Sequence, residues 1–156
     1  MTAQTNDSQI LWFGHNLMTI RVEANAGSDQ ISIIECRMPQ DISTPVHVTL
    51  SEDEIIHVLQ GTVRVRVDGK VFCAHAGQTI LAPKGMTHTF TIDAPDGANC
   101  LIVTQGSEFE EVVRQMSLPA PSAAVPSKAE RAPDPTDRIF DNCANNNTQV
   151  IGAPLP

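Results

Sequence analysis

Short segments of alternating apolar and polar residues dominate the first two thirds of the chain. The clearest is 62–67, TVRVRV, in which valines alternate with arginines. A period of two is typical of a β-strand with one buried face. Asp68-Gly69 follows, a pair favoured in two-residue hairpin turns because both positions need positive φ. Residues 71–73, VFC, predict the returning strand, so the segment predicts an antiparallel hairpin.

Further short segments, rich in β-branched residues and bounded by turn residues, predict more strands. They are 10–13, 17–22, 31–38, the segment around His47, the segment that begins at Glu54, 79–81, 87–92 and 100–104. In the strand that begins at Glu54 both alternating sets of positions are apolar, which predicts that it is covered on both sides. The number and spacing of these strands predict an all-β sandwich or barrel.

The pattern changes after Gly106. Ser107 is placed to cap a helix whose first turn carries three glutamates, and apolar residues recur at helical spacing up to Met116. The segment 119–135 is rich in Pro, Ala and Ser and predicts an extended arm. A short final helix is predicted over 136–143, with Ile151 and Leu155 anchoring the tail. We therefore divide the chain into a barrel with N-terminal strands, 1–106, and a C-terminal part, 107–156, that packs on the barrel or on a partner.

Composition limits the classes of function. The chain has 156 residues, enough for one domain, and 41% of them are hydrophobic. Its formal net charge is −8 and it has no block of Lys or Arg, which argues against nucleic acid and membrane surfaces as partners. The four cysteines form no C-x-x-C pair, and no signal peptide or membrane span is visible. These features predict a cytoplasmic protein with reduced cysteines.

Two histidines and a glutamate are the candidate metal ligands. His47 and Thr49 lie two apart and share a strand face, and Glu54 begins the next strand after the turn 51–53, which we expect to be solvated. His88 follows a second set of turn residues. Two imidazoles and a carboxylate form the ligand set of open Fe(II) sites, and the same set binds Ni, Mn or Zn. An alternative from spacing alone is that these histidines are ordinary polar residues near a barrel mouth.

The spacing of these residues resembles a known pair of motifs. His47, Glu54 and Gly61 match the first cupin motif, G-x5-H-x-H-x3,4-E-x6-G, although Thr49 replaces its second histidine and its early glycine is missing. The second motif, G-x5-P-x-G-x2-H, is matched at every spacing by residues 77–88. The chain therefore resembles a single-domain cupin over about residues 30–105, and more loosely the quercetinase-like small bacterial cupins.

The resemblance implies a fold and a site. It implies a double-stranded β-helix, the cupin jelly-roll barrel, here with a short C-terminal helix and a Pro-rich tail. It also implies that His47, Glu54 and His88 are three of the four usual ligands of one divalent metal ion (Fe, Ni, Mn or Zn). Thr49 takes the fourth position, usually a histidine, so either water fills that position or the affinity for a metal falls. The replacement either leaves an open triad suited to a substrate or O₂, or means that the metal role has been lost.

Three functions remain open at this point. The first is a quercetinase-like, metal-dependent dioxygenase acting on a small organic or aromatic substrate, with Glu54 as ligand and catalytic base. A carboxylate at an apolar rim can have a pKa close to the working pH, which suits a base. The second is an isomerase or cyclase that uses Zn or no metal, and the third is a metabolite-binding cupin without catalysis. Exposed edge strands and the apolar segment 10–22 predict a homodimer.

Overall fold

Twelve β-strands, one α-helix and a further helical stretch at 143–145 form the regular structure of the described residues, 8–127, 129–130 and 143–153, in a computed structural model. The strands are β1 (Gln9–Phe13), β2 (Asn16–Val22), β3 (Ile31–Met38), β4 (Val46–Thr49), β5 (Glu54–Gln60), β6 (Thr62–Val67), β7 (Lys70–His75), β8 (Thr79–Ala82), β9 (Thr87–Thr91), β10 (Ala98–Gln105), β11 (Leu118–Pro119) and β12 (Thr148–Gly152). The helix, α1, is Glu108–Met116.

The strands form two antiparallel sheets. The larger sheet has the order β11-β1-β2-β3-β10-β5-β8, and the smaller has the order β12-β4-β9-β6-β7. Strands that are neighbours in space are mostly distant in sequence, as in a jelly roll, whose two sheets face each other across one core. The predicted all-β jelly-roll class is confirmed.

The predicted hairpin is present with the predicted turn. β6 pairs with β7, and Val67 lies opposite Lys70 across the turn. Asp68 and Gly69 have φ values of 47° and 78°, the positive values that this turn requires. The valines of β6 are buried, so the alternation in the sequence identified the face that points into the barrel.

Apolar side chains from both sheets fill the space between them. Ile34, Ile102 and Ile56 lie side by side on β3, β10 and β5 and form a buried row across the larger sheet. Glu54 lies two residues before Ile56 on β5, and it pairs with Thr104 of β10. The strand that carries Glu54 is therefore held against the buried core.

The outer face of the larger sheet is less well covered than predicted. Ile55 and Leu59 of β5 are exposed, so the prediction that both faces of this strand are covered is wrong for a single chain. Val103 lies beside Ile55, and Leu81 lies on its other side. Apolar residues at these positions are also what a strand covered on both faces would have. The hydrophobic pattern alone therefore does not distinguish a covered outer face from an exposed one.

The C-terminal residues add to both sheets. β11 pairs with β1, and the Trp12 indole N–H donates a 2.8 Å hydrogen bond to the Ala124 carbonyl, so the described part of the arm packs on its own barrel. β12 pairs with β4, but Ile151 is exposed, so its predicted anchoring role is wrong. The predicted helix over 136–143 and the predicted anchor Leu155 lie outside the described residues, apart from Cys143. None of the helices described is long and apolar enough to span a membrane.

Candidate metal centre and its cavity

Three strands bring the predicted ligands to one point. His47 on β4 lies directly opposite His88 on β9 in the smaller sheet, and their rings are 4.1 Å apart between centroids. Glu54, the first residue of β5, approaches them from the larger sheet. One ligand atom from each of the three residues lies within 4.8 Å of the other two. The structure thus brings together all three of the strong ligands that the sequence predicted.

Backbone carbonyls orient both imidazoles. Nδ1 of His47 is 2.9 Å from the Pro45 carbonyl oxygen, and Nδ1 of His88 is 3.3 Å from that of Met86. In each case the carbonyl belongs to the residue two positions earlier. If each Nδ1–H donates to its carbonyl, each Nε2 keeps its lone pair for a metal, which is the usual second-shell arrangement of metal-binding histidines. The sequence carries no signal for these contacts because they depend on backbone direction.

Burial and proximity set the charges of the three groups. Burial raises the pKa of Glu54, but the hydrogen bond from His88 at 3.3 Å and the two nearby imidazoles lower it by more. Burial lowers the pKa of His88, and the Glu54 carboxylate raises it by more. Burial and the neighbouring His88 both lower the pKa of His47. The expectation that the pKa of Glu54 approaches the working pH is therefore wrong, because the imidazoles outweigh burial.

The geometry suits a divalent cation. Glu54 is only 2% exposed, and a buried carboxylate is stable only with a cation or with hydrogen-bond donors. Once the proton between His88 Nε2 and the Glu54 carboxylate is lost, two imidazole nitrogens and one carboxylate provide three converging acceptors, which fit a three-ligand site. His47, Glu54 and His88 would hold such an ion, and a fourth position would remain for a small molecule.

Thr49 borders this fourth position but is engaged elsewhere. Its side chain is buried, and its hydroxyl donates a 2.9 Å hydrogen bond to the Glu52 carbonyl oxygen. This bond closes the turn between β4 and β5 and fixes the start of the strand that carries Glu54. Thr49 therefore has a structural role in the turn, and no imidazole occupies the position that the first cupin motif gives to histidine.

An apolar cavity of about 130 Å³ opens beside the three ligands. Aromatic and aliphatic side chains from both sheets and from α1 form most of its wall. Phe90, two residues from His88, lines it, whereas Met86 is exposed and does not. The other lining residues are Phe13, Asn16, Met18, Thr44, Pro45, His47, Thr49, Glu54, Ile102, Phe109, Val112, Met116, Cys143, Thr148 and Val150.

Glu52 is a residue that the sequence reasoning misplaced. We expected it in a solvated turn, but it is 2% exposed. Its carboxylate accepts hydrogen bonds from the backbone N–H groups of Glu108 at 2.8 Å and Phe109 at 3.1 Å. It thus caps the N-terminus of α1, whereas Ser107, the predicted cap, makes no capping bond with its side chain. No local pattern indicates a cap that comes from a segment more than fifty residues away.

Two further features of the structure involve the Glu52 cap. Gly106 lies against it, and a Cβ at that position would overlap the Glu52 carboxylate. Burial and hydrogen bonding to the Glu108 carboxylate raise the pKa of Glu52 to about 8, while the pKa of Glu108 is lowered. The two carboxyl groups therefore share one proton. The cap links the turn before Glu54 to the helix that walls the cavity.

Replacing Glu52 with alanine should destabilise the fold. The variant leaves two helix N–H groups without their acceptor, so we expect the free energy of unfolding to fall by about 1–3 kcal/mol. Urea denaturation followed by circular dichroism measures this change. A loss of less than about 0.5 kcal/mol would show that water replaces the carboxylate.

The raised pKa of Glu52 also predicts pH dependence. The folded chain keeps this proton up to a pH of about 8, whereas the unfolded chain loses it near 4.5. This contribution to stability therefore falls as the pH rises through that interval. Glu52→Gln stays neutral, so between pH 6 and pH 9 it should lose less stability than the native chain. Equal losses in the two proteins would contradict the shared proton.

Comparisons with known proteins agree with this architecture. Residues 34–104 match the family described as Cupin domain. Acetate kinase EutQ of Clostridioides difficile (strain 630) is 34% identical over 74 residues, which are 47% of this chain and 46% of that protein. The chain therefore spans about half the length of this curated relative.

Solved structures share the fold at low sequence identity. A predicted oxalate decarboxylase from Thermotoga maritima superposes with a TM-score of 0.57 and 17% identity, covering 67% of this chain and 98% of that one. The polyketide cyclase RemF from Streptomyces resistomycificus has a TM-score of 0.54 and 19% identity, covering 67% and 78%. At these identities the likeness shows the fold alone. With the jelly-roll topology and the matched motif spacings, the family match identifies residues 34–104 as a cupin domain.

Proposed function

We propose that this chain is a metal-dependent enzyme acting on a small, largely apolar organic molecule, most simply as an O₂-using dioxygenase of the quercetinase-like kind. The supporting observation is that three ligand atoms lie within 4.8 Å of one another beside an apolar cavity. A small-molecule cavity with a few converging polar groups is the usual form of an active site. The proposal covers this chain alone, and the ion is Fe, Ni, Mn or Zn.

Each residue has a distinct role in this proposal. His47 and His88 hold the ion through Nε2, with ring orientations set by the carbonyls of Pro45 and Met86. The bound ion would supply a Lewis acid for a substrate oxygen and, if it is redox-active, electrons for O₂. Glu54 balances the charge of the ion. Its lowered pKa keeps it ionised, which suits a metal ligand, and it would accept a proton from an enol or phenol whose own pKa a bound ion would lower.

The cavity wall supports the same chemistry. Phe90, Ile102 and Phe109 exclude water from the space beside the ligands. Exclusion of water strengthens the electrostatic interaction between an ionised substrate oxygen and the site. It also protects a reactive intermediate from side reactions. Thr49, which offers no imidazole, leaves room for the substrate beside the three ligands.

The second candidate is a non-redox isomerase or cyclase that uses Zn or no metal. Three ligands with an open fourth position are also typical of catalytic zinc. The same fold in a polyketide cyclase shows that cupins host such chemistry, but a fold does not determine a function. The third candidate, a metabolite-binding cupin without catalysis, is favoured only by the replacement of a motif histidine by Thr49.

Oxygen uptake separates these candidates. Protein loaded in turn with Fe²⁺, Ni²⁺, Mn²⁺ or Zn²⁺ is incubated with a panel of phenols and enols, and O₂ consumption and product mass are recorded. We expect uptake with at least one redox-active ion, loss of uptake after chelation, and two atoms of labelled O₂ in the product. Turnover that persists without O₂ and after chelation would support the second candidate. Binding of a panel member without turnover would support the third.

The homodimer remains a prediction within this proposal. The edge of β1 is already occupied by β11 of the same chain, so segment 10–22 does not offer a free edge. β7 is an outer strand of the smaller sheet, and its Val71 and Phe72 are exposed, which supports pairing with a second copy. Sedimentation velocity at micromolar concentration should give a dimer, and a monomer would contradict the prediction.

A further inference from the structure

One polar side chain in the cavity has an atom without a hydrogen-bond partner. Asn16 is the first residue of β2 and lines the same cavity as His47 and Glu54. It is 7% exposed, and its buried Oδ1 accepts no hydrogen bond from the protein. A buried polar atom left without a partner destabilises a fold, so such an atom requires an explanation.

The other polar side chains of the described wall are engaged. The Thr49 hydroxyl donates to the Glu52 carbonyl, and the Thr148 hydroxyl donates to the Asn146 carbonyl. The Thr44 hydroxyl accepts from the Phe90 N–H and is 3.2 Å from that of Thr89. Among the uncharged polar side chains of this wall, Asn16 is therefore the one with a buried oxygen free to receive a ligand.

The wall also indicates the charge and size of that ligand. Its described lining contains no Lys or Arg, so away from the metal nothing would stabilise a phosphate or a carboxylate. The cavity volume of about 130 Å³ is close to that of the ~150 Å³ apolar cavity in another protein that binds benzene. A space of this volume suits one six-membered ring.

We propose that Asn16 is a specificity-determining residue whose amide oxygen accepts a hydrogen bond from a hydroxyl group of the substrate. The substrate class is a neutral single-ring compound with two oxygen substituents. One oxygen, an enol or phenol, lies at the three-ligand site, and the second is a hydroxyl that meets Asn16. The assignment of the first oxygen depends on the proposed function, whereas the contact of the second with Asn16 does not require turnover.

Binding of ring probes tests this proposal. Calorimetric titrations use phenol, resorcinol and hydroquinone without O₂, with Zn²⁺-loaded and metal-free protein, so that no redox turnover interferes. We expect at least one of the two dihydroxybenzenes to bind up to about tenfold more tightly than phenol, as one hydrogen bond allows. The probe 4-hydroxybenzoate, which places a charge at the second position, should bind more weakly than hydroquinone.

The matched variant is Asn16→Leu, which keeps the size of the side chain. It should lose the preference for the dihydroxybenzenes over phenol. Its melting temperature should equal or exceed the native value, because it removes a buried amide oxygen that has no partner. If this variant fails to fold, Asn16→Ala is used with the same two probes.

Several outcomes would overturn the proposal. They are equal binding of phenol and both dihydroxybenzenes, an unchanged preference in the Asn16 variant, and no binding of any ring probe. Observation of O₂ uptake would not by itself support the proposed role of Asn16. Conversely, a preference that depends on Asn16 in a protein without turnover would support this inference and contradict the proposed enzyme, so the two failures can be told apart.

Discussion

Replacing Glu54 with glutamine is expected to lower the affinity of the site for a divalent cation by at least about 100-fold. Loss of outer-shell contacts alone typically lowers metal affinity by about 10–100-fold, and Glu54 is a direct ligand. Glutamine keeps the size of the side chain but removes the negative charge that faces His47 and His88. Calorimetric titration with Zn²⁺ or Co²⁺ measures the change, and turnover should be abolished with it.

The fold should tolerate this change. The amide can accept a hydrogen bond from His88 as the carboxylate does, and the packing around β5 is unaltered. Circular dichroism and the urea midpoint should therefore stay close to the native values. Full retention of metal affinity or of activity would contradict the assignment of Glu54.

Glu52→Gln is the matched control. Glu52 is as buried as Glu54 and lies two residues earlier, but its carboxylate faces the N-terminus of α1. Its substitution should change metal affinity by no more than a few-fold. Equal losses in the two variants would mean that general damage to the β4–β5 turn, and not the loss of a ligand, explains the result.

The sequence predicted much of the barrel because its signals are local. Alternation in 62–67 and the Asp68-Gly69 pair fix one hairpin without reference to the rest of the chain. The spacing of the two motifs predicted which histidines and which glutamate meet. The meeting itself is a long-range event, since residues from β4, β5 and β9 converge only when both sheets form. The spacing of the motif residues predicted this convergence, whereas the alternation of apolar and polar residues did not.

The features that sequence reasoning missed arise from tertiary contacts. Glu52 looks like any acidic turn residue, and its burial follows from the position of α1, which the sequence does not give. The lowered pKa of Glu54 depends on the distance and orientation of His88. Asn16 is the first residue of β2, and only the three-dimensional arrangement shows that it lines the same cavity as the candidate ligands.

A short segment connects these features. Within six residues, Thr49 closes a turn, Glu52 caps a helix and Glu54 faces two imidazoles. The helix in turn supplies Phe109 and other side chains to the cavity wall. The segment therefore connects the turn, the helix that walls the cavity and the candidate ligand Glu54.

Thr49→His is expected to strengthen metal binding and to abolish turnover. Residue 49 shares a strand face with His47 and borders the cavity, so an imidazole there can reach the open fourth position. A fourth strong ligand should raise the affinity by at least about tenfold, equivalent to about 1.4 kcal/mol. The same ligand would fill the place that a substrate or O₂ needs, because catalytic sites keep one position open. Metal content by mass spectrometry and O₂ uptake measure the two effects.

Thr49→Val separates the added ligand from the lost hydroxyl. Valine has nearly the shape of threonine and leaves the Glu52 carbonyl without its 2.9 Å hydrogen bond, as histidine does. It should lower the free energy of unfolding by about 1–3 kcal/mol and leave metal affinity within a few-fold of native. Metal in the native protein and more of it in Thr49→His would support the three-ligand site. Metal in Thr49→His alone would contradict the proposed enzyme and favour a metabolite-binding or metal-free cupin.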